Sequence, residues 1–320
     1  MDVAESEPLV RGPSPGESTF KPRDVEEPVD YWLNRRLASH LVMLLAPTPI
    51  TPNQVTILSG VVGLVAGIVI GMAPVTRPLQ VSLGGTLFYL AILLDCADGQ
   101  LARLRGQSSM VGRMLDGVID VVPTAAVFTG FFIFLLRHGH GFLAMNAVGW
   151  SAGYSLKWHA HSYDHAKNIY LRNVLPPSGH KSALPTLDEI ERERQRLLGE
   201  GDRLGALILR GFASFTQSQR KGWQEGRMGL GVAGTETAAE RAAYREAFRG
   251  SMRLWVWNGL GTHLSLFLVA AALTPIYPDA VLVTWWLILV PMNLFTWLLM
   301  KRDQRTERAL QTRLGRAMPA

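Results

Sequence analysis

Six apolar runs, each long enough to cross a bilayer as a helix, recur along the chain at approximately 51–72, 79–104, 108–136, 141–158, 254–273 and 280–300. Hydrocarbon offers no water to unpaired backbone groups, so runs of this length predict helices, and the expected fold is an all-α membrane protein with six transmembrane helices. Ahead of the first run, PVDYWLNRRLASHLVMLLAP (28–47) spaces Tyr31, Trp32, Leu37, Leu41 and Leu44 at helical intervals with Arg35 and Arg36 among them, the pattern of an amphipathic helix lying in the membrane interface. Between the fourth and fifth runs, TLDEIERERQRLLGEGDRLGALILRGFASFTQSQRKGW predicts a charged helix, a Gly-containing turn and a more amphipathic helix. That segment is a cytoplasmic helical insertion and not a further span. AGTETAAERAAYREAFRG then predicts a helix capped near Thr235 or Thr237 that leads toward the fifth run. The resulting organisation is a disordered tail (1–27), the interfacial helix with spans one to four (28–163), the insertion (164–250), spans five and six (251–303) and a basic C-terminal tail (304–320).

Composition sharpens this picture in one respect. The 320 residues are 48% hydrophobic with a formal charge of +6, too apolar and too basic for an ordinary soluble enzyme. Only Arg77 and Arg137 fall in the connectors on one side of the bundle, and the remaining Lys and Arg lie on the other. The positive-inside rule therefore places both termini and the connector around Arg105 in the cytoplasm, as expected of a multi-pass protein of a bacterial cytoplasmic membrane. The acidic N-terminus lacks the basic and apolar regions of a signal peptide. A single cysteine, Cys96, excludes an intramolecular disulfide and a cysteine-based zinc site.

The chemistry is concentrated in DCADGQLARLRGQSSMVGRMLDGVID, where four aspartates interrupt membrane-spanning sequence. At about 100° per residue, Asp95, Asp98, Gly99, Ala102 and Arg103 share an arc of roughly 140°, and on the next helix Gly112, Asp116 and Asp120 share roughly 80°. With a tight turn near Gln107, an antiparallel hairpin brings the four carboxylates to two nearly matching levels, about 14 and 19 Å from the turn. Each aspartate near a helix centre costs about 2.5 to 3.5 kcal/mol on insertion scales, and Arg103, Arg105 and Arg113 belong near the cytoplasmic rim. Divalent ions would neutralise all four at once, and an oxygen-only donor set points to Mg²⁺ or Mn²⁺. Gly99, Ala102 and Gly112 on the same faces leave room for a flat or phosphorylated ligand near the backbone, which suits phosphoryl transfer.

These residues, in the arrangement DxxDGxxAR(x8)GxxxDxxxD, resemble the signature of the CDP-alcohol phosphotransferase family with every spacing kept. The resemblance implies transfer of a substituted phosphate from a CDP-alcohol, usually CDP-diacylglycerol, to an alcohol acceptor with release of CMP, in phospholipid biosynthesis. It also implies a homodimer in the lipid bilayer, and no nucleic-acid partner is expected. By the same resemblance Asp95, Asp98 and Asp116 bind two metal ions, while Asp120 contributes to a metal and serves as the general base. Gly99, Ala102, Arg103 and Gly112, together with Ser109, would surround the cytidine diphosphate. TPNQVT (51–56) is similar to the segment that opens the family's first span, which adds Asn53 and Thr56 as nucleotide contacts; a helix cap is the alternative use of the same residues.

The acceptor is not fixed by the sequence. Val121 stands where inositol-phosphate-using members carry Arg, and LDGVIDVV departs from the LDPxxDK of glycerophosphate-using members. RRLASHLVMLLAPTPITPNQVT resembles the entry segment of inositol-phosphate-coupling members, whose donor is a soluble CDP-alcohol such as CDP-inositol. His159, His161, His165 and Asp164 lie near the cytoplasmic end of the fourth run, either as an interfacial polar cluster or at a spacing that suits a metal or an anionic acceptor, and Lys157, Lys167 and Arg172 could hold an acceptor phosphate. His263 and Asn293 are polar within spans and either face the acceptor cavity or bond helix to helix. Two other classes compete with the enzyme. An ion-coupled transporter would spread its acids over several helices, and a silent scaffold would not keep all four aspartates.

Overall fold

The computed structural model describes residues 23–74, 76–107, 110–175, 187–224 and 237–313, and no strand occurs among them. After a π-helical turn at Asp30–Asn34, helices run in the order α1 (Arg35–Leu45), α2 (Pro52–Gly71), α3 (Leu79–Leu104), α4 (Met110–Ile119), α5 (Val121–Arg137), α6 (Phe142–Val174), α7 (Leu187–Gly199), α8 (Arg203–Gln224), α9 (Ala238–Trp255), α10 (Leu260–Leu273), α11 (Ala280–Leu287) and α12 (Asn293–Arg313). Among the described residues, five stretches are long and apolar enough to cross a membrane: Pro52–Gly71, Leu79–Leu104, Leu115–Arg137, Ala238–Leu273 and Ala280–Arg313. The protein is thus all-α and has the composition of a multi-pass membrane protein. The expected fourth span, 141–158, forms the first half of α6. Its Met145, Ala152 and Leu156 join the same apolar core, but Asn146, Lys157 and His159 leave that helix less apolar than the other five stretches.

Three of the long stretches contain breaks with identifiable causes. Asp120 separates α4 from α5 because Pro123 has no N–H to give the carbonyl of Ile119. Gly259, in extended conformation, starts α10 after the 3₁₀ turn Val256–Asn258. Pro291 lies inside the π-helical turn Ile288–Met292 that joins α11 to α12.

Packing is closest between α2 and α5. A Cβ on Gly67 would lie 2.3 Å from the carbonyl oxygen of Ala126, and one on Gly130 would lie 2.3 Å from the carbonyl oxygen of Gly67. Only hydrogen fits there, so the two backbones touch, which draws the Asp116–Asp120 segment in toward α2 and α3. The core around Phe88, Phe131, Phe134, Phe267 and Trp285 fills the space between α3, α5, α10 and α11, with Trp285 stacked on Phe128 at 5.0 Å.

A second core joins α6, α9 and α12 through Tyr170, Tyr244, Phe248 and Trp255. The end of the segment expected to be a disordered tail belongs to it. Val25 is buried and its carbonyl accepts from Tyr163 Oη at 2.6 Å, Asp24 pairs with Arg245 and Arg249, and Glu26 pairs with Arg35 at 2.6 Å. The insertion forms the expected helix, turn and helix as α7 and α8, with Gly201 at φ 82° in the turn. Ile190, Leu197, Ala206 and Leu209 close the hairpin on itself, and Val111 of α4 packs against that cluster. Thr237 caps α9 by a capping box with Glu240, at one of the two expected positions.

Candidate active site

Asp95 and Asp98 lie one turn apart on α3, and Asp116 and Asp120 lie one turn apart across the end of α4. The packing of α3 and α4 against α2 turns these two pairs toward each other. One carboxylate oxygen from each of Asp95, Asp98 and Asp116 can be chosen so that all three lie within 4.8 Å of one another. Asp120 completes the group from its break between helices, with its carboxyl against that of Asp95. Asp98 is 3% exposed, and the others are partly buried.

Two buried oxygens, Asp95 Oδ1 and Asp120 Oδ1, have no hydrogen-bond partner. A buried carboxylate oxygen without a donor costs the full desolvation of that atom, and several such groups side by side add mutual repulsion. All-oxygen donors at this spacing fit a hard divalent cation such as Mg²⁺ or Mn²⁺ and do not fit a soft metal.

The remaining residues singled out in the sequence divide by location. Gly99 opens on the same face as Asp95 and Asp98, and a Cβ there would meet nothing nearer than Arg103 Nη1 at 3.5 Å. Arg103 therefore lies back along its own helix over Gly99, with its charge toward Asp98 and Asp116. Ala102 and Gly112 are partly exposed near the same opening. Ser109 lies outside the described residues.

Thr56 lies beside Asp98. Its Oγ1 donates to Asp98 Oδ2 and also meets the carbonyl of Pro52 at 3.1 Å, so it orients a carboxylate. Thr51 is the helix cap of α2, bonded in a capping box with Gln54, and Asn53 is exposed on the first turn. Asp30, ahead of α1, adds a further carboxylate within electrostatic reach of Asp95. The only signal of that in the sequence is one acid in the amphipathic run PVDYW.

His159 and His263 do not reach the aspartates. Both are fully buried and face each other at 3.1 Å, with His159 Nε2 3.1 Å from Asn293 Oδ1 and His263 Nδ1 2.8 Å from the carbonyl oxygen of Gly259. Asn293 Nδ2 donates to Ser155 Oγ at 2.9 Å. This network bonds α6, α10 and α12 to one another. Lys167 pairs with Asp164 and lies 4.9 Å from the centre of the Tyr163 ring.

Comparison with known proteins bears on this half of the molecule. The family model for CDP-alcohol phosphatidyltransferase matches residues 49–152. The chain is 32% identical over 88 residues to the bifunctional IPC transferase and DIPP synthase of Thermococcus kodakarensis, a match that covers 28% of this chain and 18% of the relative. It is 32% identical over 125 residues to the protein of the same name from Rubrobacter xylanophilus, covering 39% of this chain and 26% of that one. The protein of that name from Aquifex aeolicus is again 32% identical over 88 residues, 28% of this chain and 19% of the relative. The chain thus spans about a fifth to a quarter of the length of the curated relatives it matches. The region that matches the family model, residues 49–152, holds both aspartate-bearing helices and the start of α2.

Proposed function

We propose that the protein is an integral membrane CDP-alcohol phosphotransferase that moves a substituted phosphate from a CDP-alcohol to an alcohol acceptor and releases CMP. The observation that carries this reading is the convergence of Asp95, Asp98 and Asp116, with Asp120 beside them, in an arrangement that leaves two buried carboxylate oxygens without donors. Asp95, Asp98 and Asp116 would hold two divalent ions, with Asp120 contributing an oxygen. When bound, such ions offset the charge of a donor pyrophosphate and of the CMP that leaves.

The protein's own groups do the rest. Thr56 holds Asp98 in one orientation, and Gly99 leaves the backbone of α3 open to the nucleotide, with Arg103 beside it to balance phosphate charge. Asp120, on its helix break with one carboxylate oxygen unpartnered, accepts the proton of the acceptor hydroxyl as that oxygen attacks the distal phosphorus. The reaction needs no covalent enzyme intermediate. The distribution of Lys and Arg along the chain supports an active site open to the cytoplasm.

The shared name of the relatives favours a soluble CDP-inositol-type donor over CDP-diacylglycerol, and the resemblance of the α1–α2 entry segment points the same way. Incubating purified protein with either donor, Mg²⁺ or Mn²⁺ and a panel of alcohols, then following CMP and the mass of the product, tests both levels. CMP release that requires the metal and an alcohol is expected. Metal-driven ion flux in vesicles without any CMP would replace the enzyme with a transporter.

A further inference from the structure

Arg105 is the residue after the last turn of α3, seven positions beyond Asp98, and the donor chemistry described so far does not use it. Its guanidinium reaches across to the corner between α1 and α2. Nη2 donates to the carbonyl oxygens of Leu45, Ala46 and Thr48 at 2.9, 3.1 and 2.7 Å, and Nη1 donates to that of Ile50.

The corner has few other ways to satisfy these groups. Leu45 and Ala46 end a helix, where carbonyls lack partners within the helix. The sequence that follows, PTPITP, has Pro at positions 47, 49 and 52, none of which can donate a backbone hydrogen bond to close the turn. Apart from the short-range bonds of Thr48, one planar fork of donors gathers the corner's carbonyls. That corner delivers Thr51, Asn53 and Thr56 to the first turns of α2, where Thr56 meets Asp98. Arg105 therefore ties the start of α2 to the same helix that carries Asp95 and Asp98.

We propose that Arg105 is a positioning residue for the donor nucleotide: by pinning the α1–α2 corner to the end of α3, it sets the distance between the α2 entry turn and the metal-facing carboxylates. The proposal rests on the reading of this cleft as a CDP-alcohol site. It acts through the first turn of α2 and Asn53 and touches neither substrate nor metal. Loss of the fork lets the corner and the first turn of α2 with Asn53 drift relative to α3, while Thr56, one turn further along α2, stays bonded to Asp98 and the aspartates keep their mutual geometry. A small displacement of a positioning element weakens binding and alignment of the ligand before it affects groups held elsewhere.

The test is calorimetry of CMP binding in the presence of Mn²⁺, together with donor KM, kcat and Mn²⁺ affinity, for the wild-type protein, Arg105→Ala and Arg105→Lys. In Arg105→Ala, CMP should bind about tenfold more weakly and donor KM should rise by a similar factor, a change of the size expected for loss of one well-placed charged contact. Mn²⁺ affinity should stay at the wild-type value, and kcat at saturating donor should stay within about twofold, which a general loosening of the fold would not spare. Arg105→Lys keeps the charge but reaches fewer carbonyls, so an intermediate loss of about threefold is expected and keeps the test open if Arg105→Ala does not fold. Unchanged CMP affinity in either folded variant overturns the proposal, as does a joint fall in Mn²⁺ affinity and kcat with KM untouched. Wild-type protein that binds no CMP with Mn²⁺ would overturn the nucleotide reading itself. Normal wild-type binding with unaltered Arg105 variants would overturn the role of Arg105 alone.

Discussion

Around His159 the buried polar atoms face partners: His263 on one side, Asn293 on the other, then Ser155 and the carbonyl of Gly259 beyond them. Around Asp95 the arrangement is reversed. Carboxylates face carboxylates, and Asp95 Oδ1 and Asp120 Oδ1 are buried without a donor. Both clusters place polar groups among apolar helices, where an unsatisfied group is expensive, so their difference is informative. Polar atoms that face one another across α6, α10 and α12 hold those helices together, and two neutral imidazoles supply two of the three protons that the chain from the Gly259 carbonyl to Asn293 Oδ1 would take. A cluster whose members repel is complete only with something positive in the middle. From sequence alone both sets were candidates for chemistry, and the kind of group separates them: rings, an amide and a hydroxyl in one, four carboxylates in the other.

The largest effect should come from Asp120. Replacing it with Asn keeps an oxygen near the cluster but removes the proton acceptor, so CMP release should fall by about 10² to 10⁴ while Mn²⁺-dependent CMP binding persists. Rapid-quench measurement of CMP beside binding calorimetry separates the two quantities. Turnover within a factor of about three of wild type would remove Asp120 from the role of base and leave it as one more ligand.

The histidine cluster should respond in the opposite sense. His159→Ala leaves His263 Nε2 and Asn293 Oδ1 buried and unpartnered and opens a cavity between α6, α10 and α12, so it should cost about 2–4 kcal/mol of stability. Activity per folded molecule should stay near wild type, because the cluster makes no contact with the aspartates. Thermal unfolding in detergent together with active-site titration checks this. A variant that is as stable as wild type but inactive would turn the histidines from packing into acceptor-binding groups and erase the contrast between the clusters.

How much of this was legible in the sequence follows the range of the interactions. The aspartate spacing is local, since 3.6 residues per turn puts Asp95 with Asp98 and Asp116 with Asp120, and one short turn sets the level of each pair. The capping residue Thr237 and the α7–α8 hairpin are likewise local patterns. What the sequence hid depends on distant partners. Nothing near Thr56 announces that its hydroxyl meets Asp98, 42 positions away. Nothing in a polar N-terminal segment announces that Val25 will be buried beneath Tyr163, because that burial comes from α6 and α9. The break at Asp120 was readable in principle from Pro123, whose missing N–H acts four residues back, but the apolar run across it reads as one continuous span. Hydropathy likewise made 141–158 a span of its own, whereas the structure extends that helix as α6 to Val174.

The smallest effect repeats the contrast between satisfied and crowded acids outside the spans, on residues that titrate within reach of ordinary buffers. Asp24 is a satisfied acid: burial pushes its carboxyl up, but the Arg245 hydrogen bonds and charge, with Tyr170 and Arg249, hold it below the usual carboxylate range. Glu27 is a crowded one. Burial, and then the nearby charge of Asp30, push it up to about 8 against bonds from the backbone N–H groups of Thr262 and Gly261. Two glycines leave room for it: a Cβ on Gly259 would lie 2.0 Å from Glu27 Cδ, and one on Gly261 would lie 2.7 Å from Glu27 Oε2. The signs follow from linkage. A lowered acid stabilises the fold above its unfolded value, near 3.8 for Asp24, and that stability is lost as pH falls through the lower folded value. A raised acid does the reverse: the stability that Glu27 gives is full below about 4.5 and is lost as pH rises toward about 8. Glu27→Gln keeps an acceptor for the two N–H groups and removes the charge, so its melting temperature should stay level between these limits while that of wild type declines. By pH 8 the variant should melt about 2 °C higher, a shift on the order of 1 kcal/mol for a chain of this size. Asp24→Asn should instead lower the melting temperature at pH 7 and lose the further fall in acid. Parallel melting curves for wild type and Glu27→Gln across that range would show that Glu27 is solvated and charged, and the contrast between satisfied and crowded acids would then hold only inside the bundle.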